Sequence, residues 1–331
     1  MSGFGTLRGF EEVWRPAVTP RAYPQAVLAA LTGPAAVRAR LGRLARRVPE
    51  VMVKVTGRTR DAAHLRAHLD YITRRGALAA EGPEGALVAG RDEVQETAAA
   101  WAAAVELDPR RRAGSPLSLS VVLSMPAGTD ALALRDAARA FADQTFGGRR
   151  DYLLALHTDA DHPHVHLSVC ALGWDGRRLN PKKADLEAWR QGFAQALREH
   201  GIEAEATPRR ARGVVRKSER TAVRRLRERW AAGAGPAPRV LAASLRAAAS
   251  GRQPAPWEAA AARRRAQAQA LYAAQARLLA GSDDADERRL AAQIASFVAQ
   301  MPEPLTRDAA LRRALGRDGA RTGGGGPDRG R

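Results

Sequence analysis

The sequence predicts an α+β fold, a largely antiparallel central sheet with flanking helices, followed by a basic, α-helical C-terminal region. Three observations carry this. Leu117–Ser124 alternates apolar and polar residues with the two-residue period of a strand, and Tyr152–Leu156 and Val165–Cys170 are short apolar runs of strand character. A turn of a few residues separates the last two, so they pair as an antiparallel hairpin. Beyond about residue 207 the strand-like runs stop and Ala- and Arg-rich helical stretches take over.

Taken in order, residues 1–50 hold short helical patches broken by Pro16, Pro20, Pro24 and Pro34, and read as an N-terminal extension that packs on, or hangs off, the main domain. Met52-Val53-Lys54-Val55 reads as a first strand, followed by a turn at Thr56-Gly57-Arg58. Asp61 is placed to cap a helix through about Arg75, with Leu65, Leu69 and Ile72 as its buried stripe and Gly76 as terminator. Residues 77–92 read as a Gly-rich loop, and Glu93–Val105 as a helix. Leu117–Ser124 puts Leu117, Leu119, Val121 and Leu123 on one face and Ser118, Ser120 and Ser124 on the other, the pattern of a half-buried strand. The turn at Met125–Asp130 hands over to a helix from Ala131 to Phe146. After the hairpin, Asn180-Pro181 opens a helix with Leu186, Trp189, Phe193 and Leu197 inward, closed by Gly201. The predicted divisions are an extension at 1–50, a main domain at 51–213, a helical region at 214–315 and a disordered Gly/Arg tail at 316–331.

Charge narrows the partners. Lys and Arg number 54 against 35 Asp and Glu, a net +19, which favours a polyanion: a nucleic acid, or an anionic membrane surface as the competitor. From Thr207 to Arg229 there are ten basic residues against two acidic ones, either a solvated helix face or a nucleic-acid contact. No apolar run reaches membrane-spanning length and the N-terminus lacks a signal pattern, so membrane insertion is not expected. The single cysteine, Cys170, excludes an internal disulfide framework and fits a reducing cytosol.

Chemistry concentrates in residues 157–166, His-Thr-Asp-Ala-Asp-His-Pro-His-Val-His, which hold four of the seven histidines. His164 and His166 are two apart on a strand and face one way. Across a hairpin His157 meets His164, and the three rings converge as a three-nitrogen metal site with open positions. A lone His-x-His is a weak signal; the cluster, with Asp159 and Asp161 beside it, is a stronger one. His162, in the turn before Pro163, is not expected to be a ligand. His64, His68 and Tyr71 lie at i, i+4 and i+7 on one helix face, with Arg74 and Arg75 following. That is either a half-buried tyrosine at a sheet edge or a nucleophile, whose ordinary pKa near 10 requires help from a metal, a base or cations.

The stretch from His157 to His166 resembles the three-histidine motif of relaxases, the HUH-type endonucleases that start conjugative plasmid transfer. His68-Leu-Asp-Tyr71-Ile-Thr-Arg-Arg-Gly76 is similar to their nucleophile motif, and Leu123-Ser-Met-Pro-Ala-Gly-Thr-Asp130 to their intermediate motif. Asn180-Pro181 and Arg198-Glu-His-Gly-Ile202 continue the likeness, which covers roughly residues 51–213 and is greatest to the P-type mobilisation group that includes the T-DNA border endonucleases. The resemblance implies Tyr71 as nucleophile, His157, His164 and His166 as metal ligands, and Asp159 orienting a ligand or assisting deprotonation. It implies Ser124 at the DNA, where His68, Arg74 and Arg75 are also expected. It implies strand nicking and rejoining at a transfer origin through a 5′-phosphotyrosyl bond, in a bacterial cytoplasm, with auxiliary relaxosome proteins, a type IV secretion coupling protein as partner, and passage into the recipient on the DNA. Three imidazoles favour zinc, nickel or copper by ligand preference, whereas the resemblance implies Mg²⁺ or Mn²⁺. Rolling-circle initiators and transposases of the HUH class are the alternative, as is a decayed DNA-binding protein. The initiators carry the tyrosine after His-x-His, whereas Tyr71 precedes His157 by 86 residues (157 minus 71). The extension at 1–50 departs from the pattern, in which the tyrosine stands nearer the start.

Overall fold

A computed structural model describes residues 4–14, 33–214, 219, 221–250, 256–306 and 309–314. The tail at 316–331, Arg216, Lys217, Arg220 and Tyr23 lie outside the described residues. The chain divides into two compact units, one built on residues 46–206 and one combining described residues before 46 with those from 207 onward.

The first unit is the expected α+β architecture. Six antiparallel strands, β1 (Met52–Thr59), β2 (Ala80–Glu81), β3 (Leu87–Val88), β4 (Ser118–Ser124), β5 (Tyr152–His157) and β6 (His164–Cys170), lie in the order β1-β4-β6-β5-β2-β3. The histidine-bearing β5 and β6 are central. Helices Ala131–Phe146 and Lys183–Glu199 cover one face, burying Leu134, Phe141, Phe193 and Leu197 against Leu119, Val121, Leu123, Leu154, Val165 and Leu167. Helices Ala62–Ile72 and Gly90–Glu106 cover the other, burying Leu65, Leu69, Ile72, Val94 and Trp101 against Leu153, Ala155 and Cys170. Each fully buried leucine or isoleucine contributes roughly 1.5–3 kcal/mol. Both faces being covered, β4 is buried throughout rather than half-buried. Its serine face is satisfied internally: Ser118 Oγ bonds Thr59 Oγ1 at 2.8 Å. Leu117, just before the strand, packs with the opposite cluster from Leu119.

Several boundaries moved. β1 runs through Thr56-Gly57-Arg58 instead of turning there, because its register with β4 shifts between Val55 and Gly57 and a bulge absorbs the extra residue. The expected loop at 77–92 contains β2 and β3, joined by a 3-10 turn at Pro83–Gly85; two-residue strands are too short to show alternation. The last helix of the unit starts at Lys183, where Asp185 accepts the Lys182 N–H at 2.6 Å, two residues beyond Pro181.

The Ala62–Ile72 helix is capped as expected, with Asp61 Oδ1 accepting the His64 N–H at 2.7 Å. It stops at Ile72 rather than Arg75. Arg74, Arg75 and Gly76 are all left-handed, at φ of 53°, 59° and 84°, which turns the chain back over the sheet. A Cβ on Gly76 would stand 2.4 Å from Arg91 N and Gly90 C, both backbone. Gly76→Ala is therefore expected to destabilise by about 2 kcal/mol or more, combining the left-handed penalty with the clash. Thermal unfolding checks it: a fall of Tm by about 4 °C or more is expected, and an unchanged Tm would refute the close approach.

The second unit does not follow the linear division into extension and appendage. Phe10–Trp14 and Pro34–Ala45 share a core with the Pro256–Ala280 and Ala285–Ala299 helices, joining Phe10, Trp14, Leu41 and Leu44 to Leu279, Ile294 and Phe297. Trp14 Nε1 donates to Tyr272 Oη at 2.8 Å, which donates to Ala211 O at 2.9 Å. Buried Gln275 accepts the Leu7 N–H at 2.9 Å and donates to Gly5 O at 2.7 Å. Burying both side chains without these partners would cost about 1–3 kcal/mol per group. The boundary stands at Ala206/Thr207 rather than Gly213, because the first unit closes there: Val51 N–H donates to Glu205 O and Glu205 N–H to Pro49 O. The Arg-rich Thr221–Ala231 helix is largely exposed, Trp230 included. No described helix is long and apolar enough to cross a membrane.

Candidate active site

The hairpin register brings the histidines together. His157, at the end of β5, pairs with His164, at the start of β6, and His166 lies opposite Ala155. The ring centroids are 5.3 Å apart for His157 and His164, 4.5 Å for His157 and His166, and 5.1 Å for His164 and His166. One nitrogen from each ring lies within 4.8 Å of the others. His162, exposed in the turn, is not part of the group and contributes its carbonyl instead.

The hydrogen bonds to backbone carbonyls indicate which ring nitrogens carry the proton and which are left as acceptors. His157 Nε2 donates to Ile72 O at 2.7 Å, leaving Nδ1 as the acceptor. His164 Nδ1 donates to His162 O at 3.1 Å, leaving Nε2. His166 Nε2 is buried with no protein partner, an arrangement that leaves a polar atom uncompensated. Burial, reinforced by the neighbouring His157 and His164, pushes the His166 imidazole down to about 3, so it is neutral. Burial lowers His157 as well, against the raising effect of its bond to Ile72. An imidazole kept from protonation by burial, with its second nitrogen donating to a backbone carbonyl as in His157, is in the state that ligates metal. The donor set fits a divalent ion.

Tyr71 stands at this site. It is 53% exposed, its ring 5.4 Å edge-on from His166 and 6.1 Å from His157. Helical spacing explains this: Leu65, Leu69 and Ile72 take the inward face, and Tyr71 falls on the flank facing the ends of β5 and β6. Of the other described tyrosines, Tyr152 is fully buried with its hydroxyl donated to Asp143, which together with burial raises its pKa, and Tyr272 is buried in the second unit. Only Tyr71 offers a wet phenol among the described residues.

Arg74 joins the parts. Its guanidinium lies 5.5 Å over the Tyr71 ring, donates to His157 Nδ1 at 3.2 Å and pairs with Asp159. Its left-handed backbone aims it inward, and nothing in the sequence pattern announces that conformation. Arg75 is exposed beside it. Two of the residues expected at DNA are occupied otherwise. His68 Nε2 bonds Ser120 Oγ at 2.8 Å beneath the helix, and burial, then His64, lowers its pKa to about 4. Ser124 is 5% exposed and its hydroxyl donates to Pro163 O at 3.2 Å, tying β4 to the turn before His164.

Residues 71–202 match the family model described as Relaxase: MobA/VirD2-like, nuclease domain. Over 201 residues the chain is 28% identical to the T-DNA border endonuclease VirD2 of Rhizobium radiobacter, covering 55% of this chain and 47% of that protein. It is also 28% identical over 184 residues to its counterpart in Agrobacterium fabrum, covering 50% and 41%. The chain thus spans about half the length of the relatives it matches. A solved structure entitled "Molecular Basis of Vancomycin Resistance Transfer in Staphylococcus aureus" aligns with 49% of this chain and 99% of its own, at 14% identity and a TM-score of 0.35, too loose to bear on function. The chain resembles a relaxase of the VirD2 type, and the matched segment begins at Tyr71 and contains all three histidines.

Proposed function

We propose that this protein nicks one DNA strand at a transfer origin and rejoins it, with Tyr71 as the covalent nucleophile. The observation that carries the reading is the convergence of an exposed tyrosine on three histidines that each bring one ring nitrogen within 4.8 Å of the others. Tyr71 Oη attacks the scissile phosphorus, the bond to the 3′ oxygen breaks, and a 5′-phosphotyrosine and a 3′-hydroxyl result. The phenolic proton is released to solvent and the leaving oxygen gains one. One phosphodiester replaces another, so rejoining needs no ATP. His157, His164 and His166 hold a divalent ion, Mn²⁺ or Mg²⁺, which when bound supplies Lewis-acid polarisation of the phosphate. Arg74 places a fixed positive charge beside the Tyr71 ring, and Asp159 positions Arg74. Ile72 and His162 hold the ligand rings through their carbonyls.

The setting is mobilisation of a plasmid or similar element in a bacterial cytoplasm. Single-stranded DNA is the substrate, relaxosome proteins and a type IV secretion coupling protein are the partners, and the DNA-linked chain passes into the recipient.

The test uses the full chain with single-stranded oligonucleotides tiled across the DNA flanking its own gene, labelled at either end. The 3′-end label should migrate with the protein on a denaturing gel, while the 5′-end label is released as a fragment with a free 3′-hydroxyl. Adducts carrying the 5′-end label would reverse the polarity, and no adduct on any oligonucleotide would end the proposal.

A further inference from the structure

At the other end of the same sheet lies a pocket of about 280 Å³ whose wall includes Arg58, Arg60, Ser115, Arg178 and Asn180. The register places it. Arg58 and Thr59 pair with Leu119 and Ser118, and Ser118 with Cys170, whereas His164 pairs with Ser124. Ser118 and Ser124 are six residues apart (124 minus 118), roughly 20 Å of strand. The pocket is therefore separate from the histidine site.

Its chemistry is cationic. No carboxylate is among its lining residues, and neither Arg58 nor Arg60, both exposed at the mouth, has an ion pair among the described residues. Arg178 is anchored from one side only, its Nη2 donating to Asp108 Oδ2 at 2.8 Å. Its Nε and Nη1 are buried with no hydrogen-bond partner. A guanidinium carries five N–H donors, and leaving buried charged donors unmet is unfavourable. Three arginines beside one cavity also repel one another. An oxyanion in the cavity relieves the repulsion and brings a counter-charge to Arg178, and the exposed Arg58 and Arg60 guanidiniums can each match two oxygens of a phosphate. Ser115 and Asn180 add neutral donors to the same wall.

We propose that this pocket binds a phosphodiester group of single-stranded DNA, on a segment other than the one reacting at Tyr71. The choice of DNA over a free phosphate rests on the proposed function. It is supported by the exposed mouth, which admits a continuing backbone, and by the net charge of +19. Binding here fixes a second point on the strand, so that the nucleotides between are held in one path.

The test follows the Arg178 Nε–H resonance in arginine-labelled full-length protein, identified by its loss in Arg178→Lys. An oligothymidylate of about 20 nucleotides should shift it saturably. The Arg58→Ala/Arg60→Ala double variant should bind that oligonucleotide about five-fold more weakly, with the slope of log K against log salt shallower by about 0.7 for each phosphate lost. Arg263→Ala/Arg264→Ala, which removes the same charge from exposed positions of the second unit, should leave the slope unchanged. A shift with inorganic phosphate but not with oligothymidylate would overturn the assignment to DNA, and so would equal slopes for the two double variants. Neither result touches the nicking reading, which stands or falls on the Tyr71 adduct.

Discussion

Tyr71→Phe is expected to remove the covalent protein–DNA adduct entirely while single-stranded DNA affinity stays within about three-fold, since one hydroxyl supplies the nucleophile and many cations supply the binding. The structure adds a reason to expect an otherwise intact protein. Tyr71 is 53% exposed and buries little surface in the helix–sheet core, which Leu65, Leu69 and Ile72 form. Its ring contacts with His166 and Arg74 survive in phenylalanine. The measurement pairs a denaturing-gel adduct assay with fluorescence anisotropy on the same oligonucleotide. An adduct of normal yield would place the nucleophile elsewhere. Tyr152 and Tyr272 are ruled out by burial, so Tyr23 would be the residue to examine next.

Much of this site was legible in the sequence because its geometry is local. His164 and His166 are two apart on a strand, and the short turn leaves little choice but to bring His157 across from His164. The i, i+4, i+7 spacing likewise put Tyr71 on a flank distinct from the Leu65–Leu69–Ile72 stripe. What escaped depends on conformation or on long-range packing. The left-handed turn that aims Arg74 at His157 and Tyr71 is made by two arginines that ordinarily avoid positive φ. The bond from His68 to Ser120 spans two elements that have no sequence pattern in common. The partner of the N-terminal helix was out of reach for the same reason. Trp14 meets Tyr272, 258 residues away, and the pairing shows only as an apolar patch at each end of the chain. That pairing changes how a truncation is read. Cutting at Gly213 strips Tyr272 and Gln275 from the N-terminal segments, so a loss of stability there says nothing about catalysis.

His166→Ala is expected to weaken Mn²⁺ binding about 100-fold or more and to abolish nicking with it, while costing little stability. Losing even an outer-shell partner of a metal ligand commonly costs 10–100-fold in affinity, so deleting a ligand should cost at least the upper end of that range. The effect on folding should differ between the three histidines for a reason visible in their bonds. His157 Nε2 donates to Ile72 O and so ties β5 to the end of the Tyr71 helix. Its removal leaves that carbonyl unpaired and lowers both Tm and metal affinity. His166 Nε2 has no protein partner, so the alanine variant loses no hydrogen bond there and sheds a buried polar atom. Calorimetric titration with Mn²⁺ in the absence of DNA, together with thermal unfolding of the metal-free protein, separates the two effects. His166→Ala should lose binding with Tm within a few degrees of the parent, whereas His157→Ala should lose both. Unchanged Mn²⁺ affinity in His166→Ala, or full nicking by the parent protein in excess EDTA, would refute the metal assignment and leave the orphaned nitrogen without a purpose.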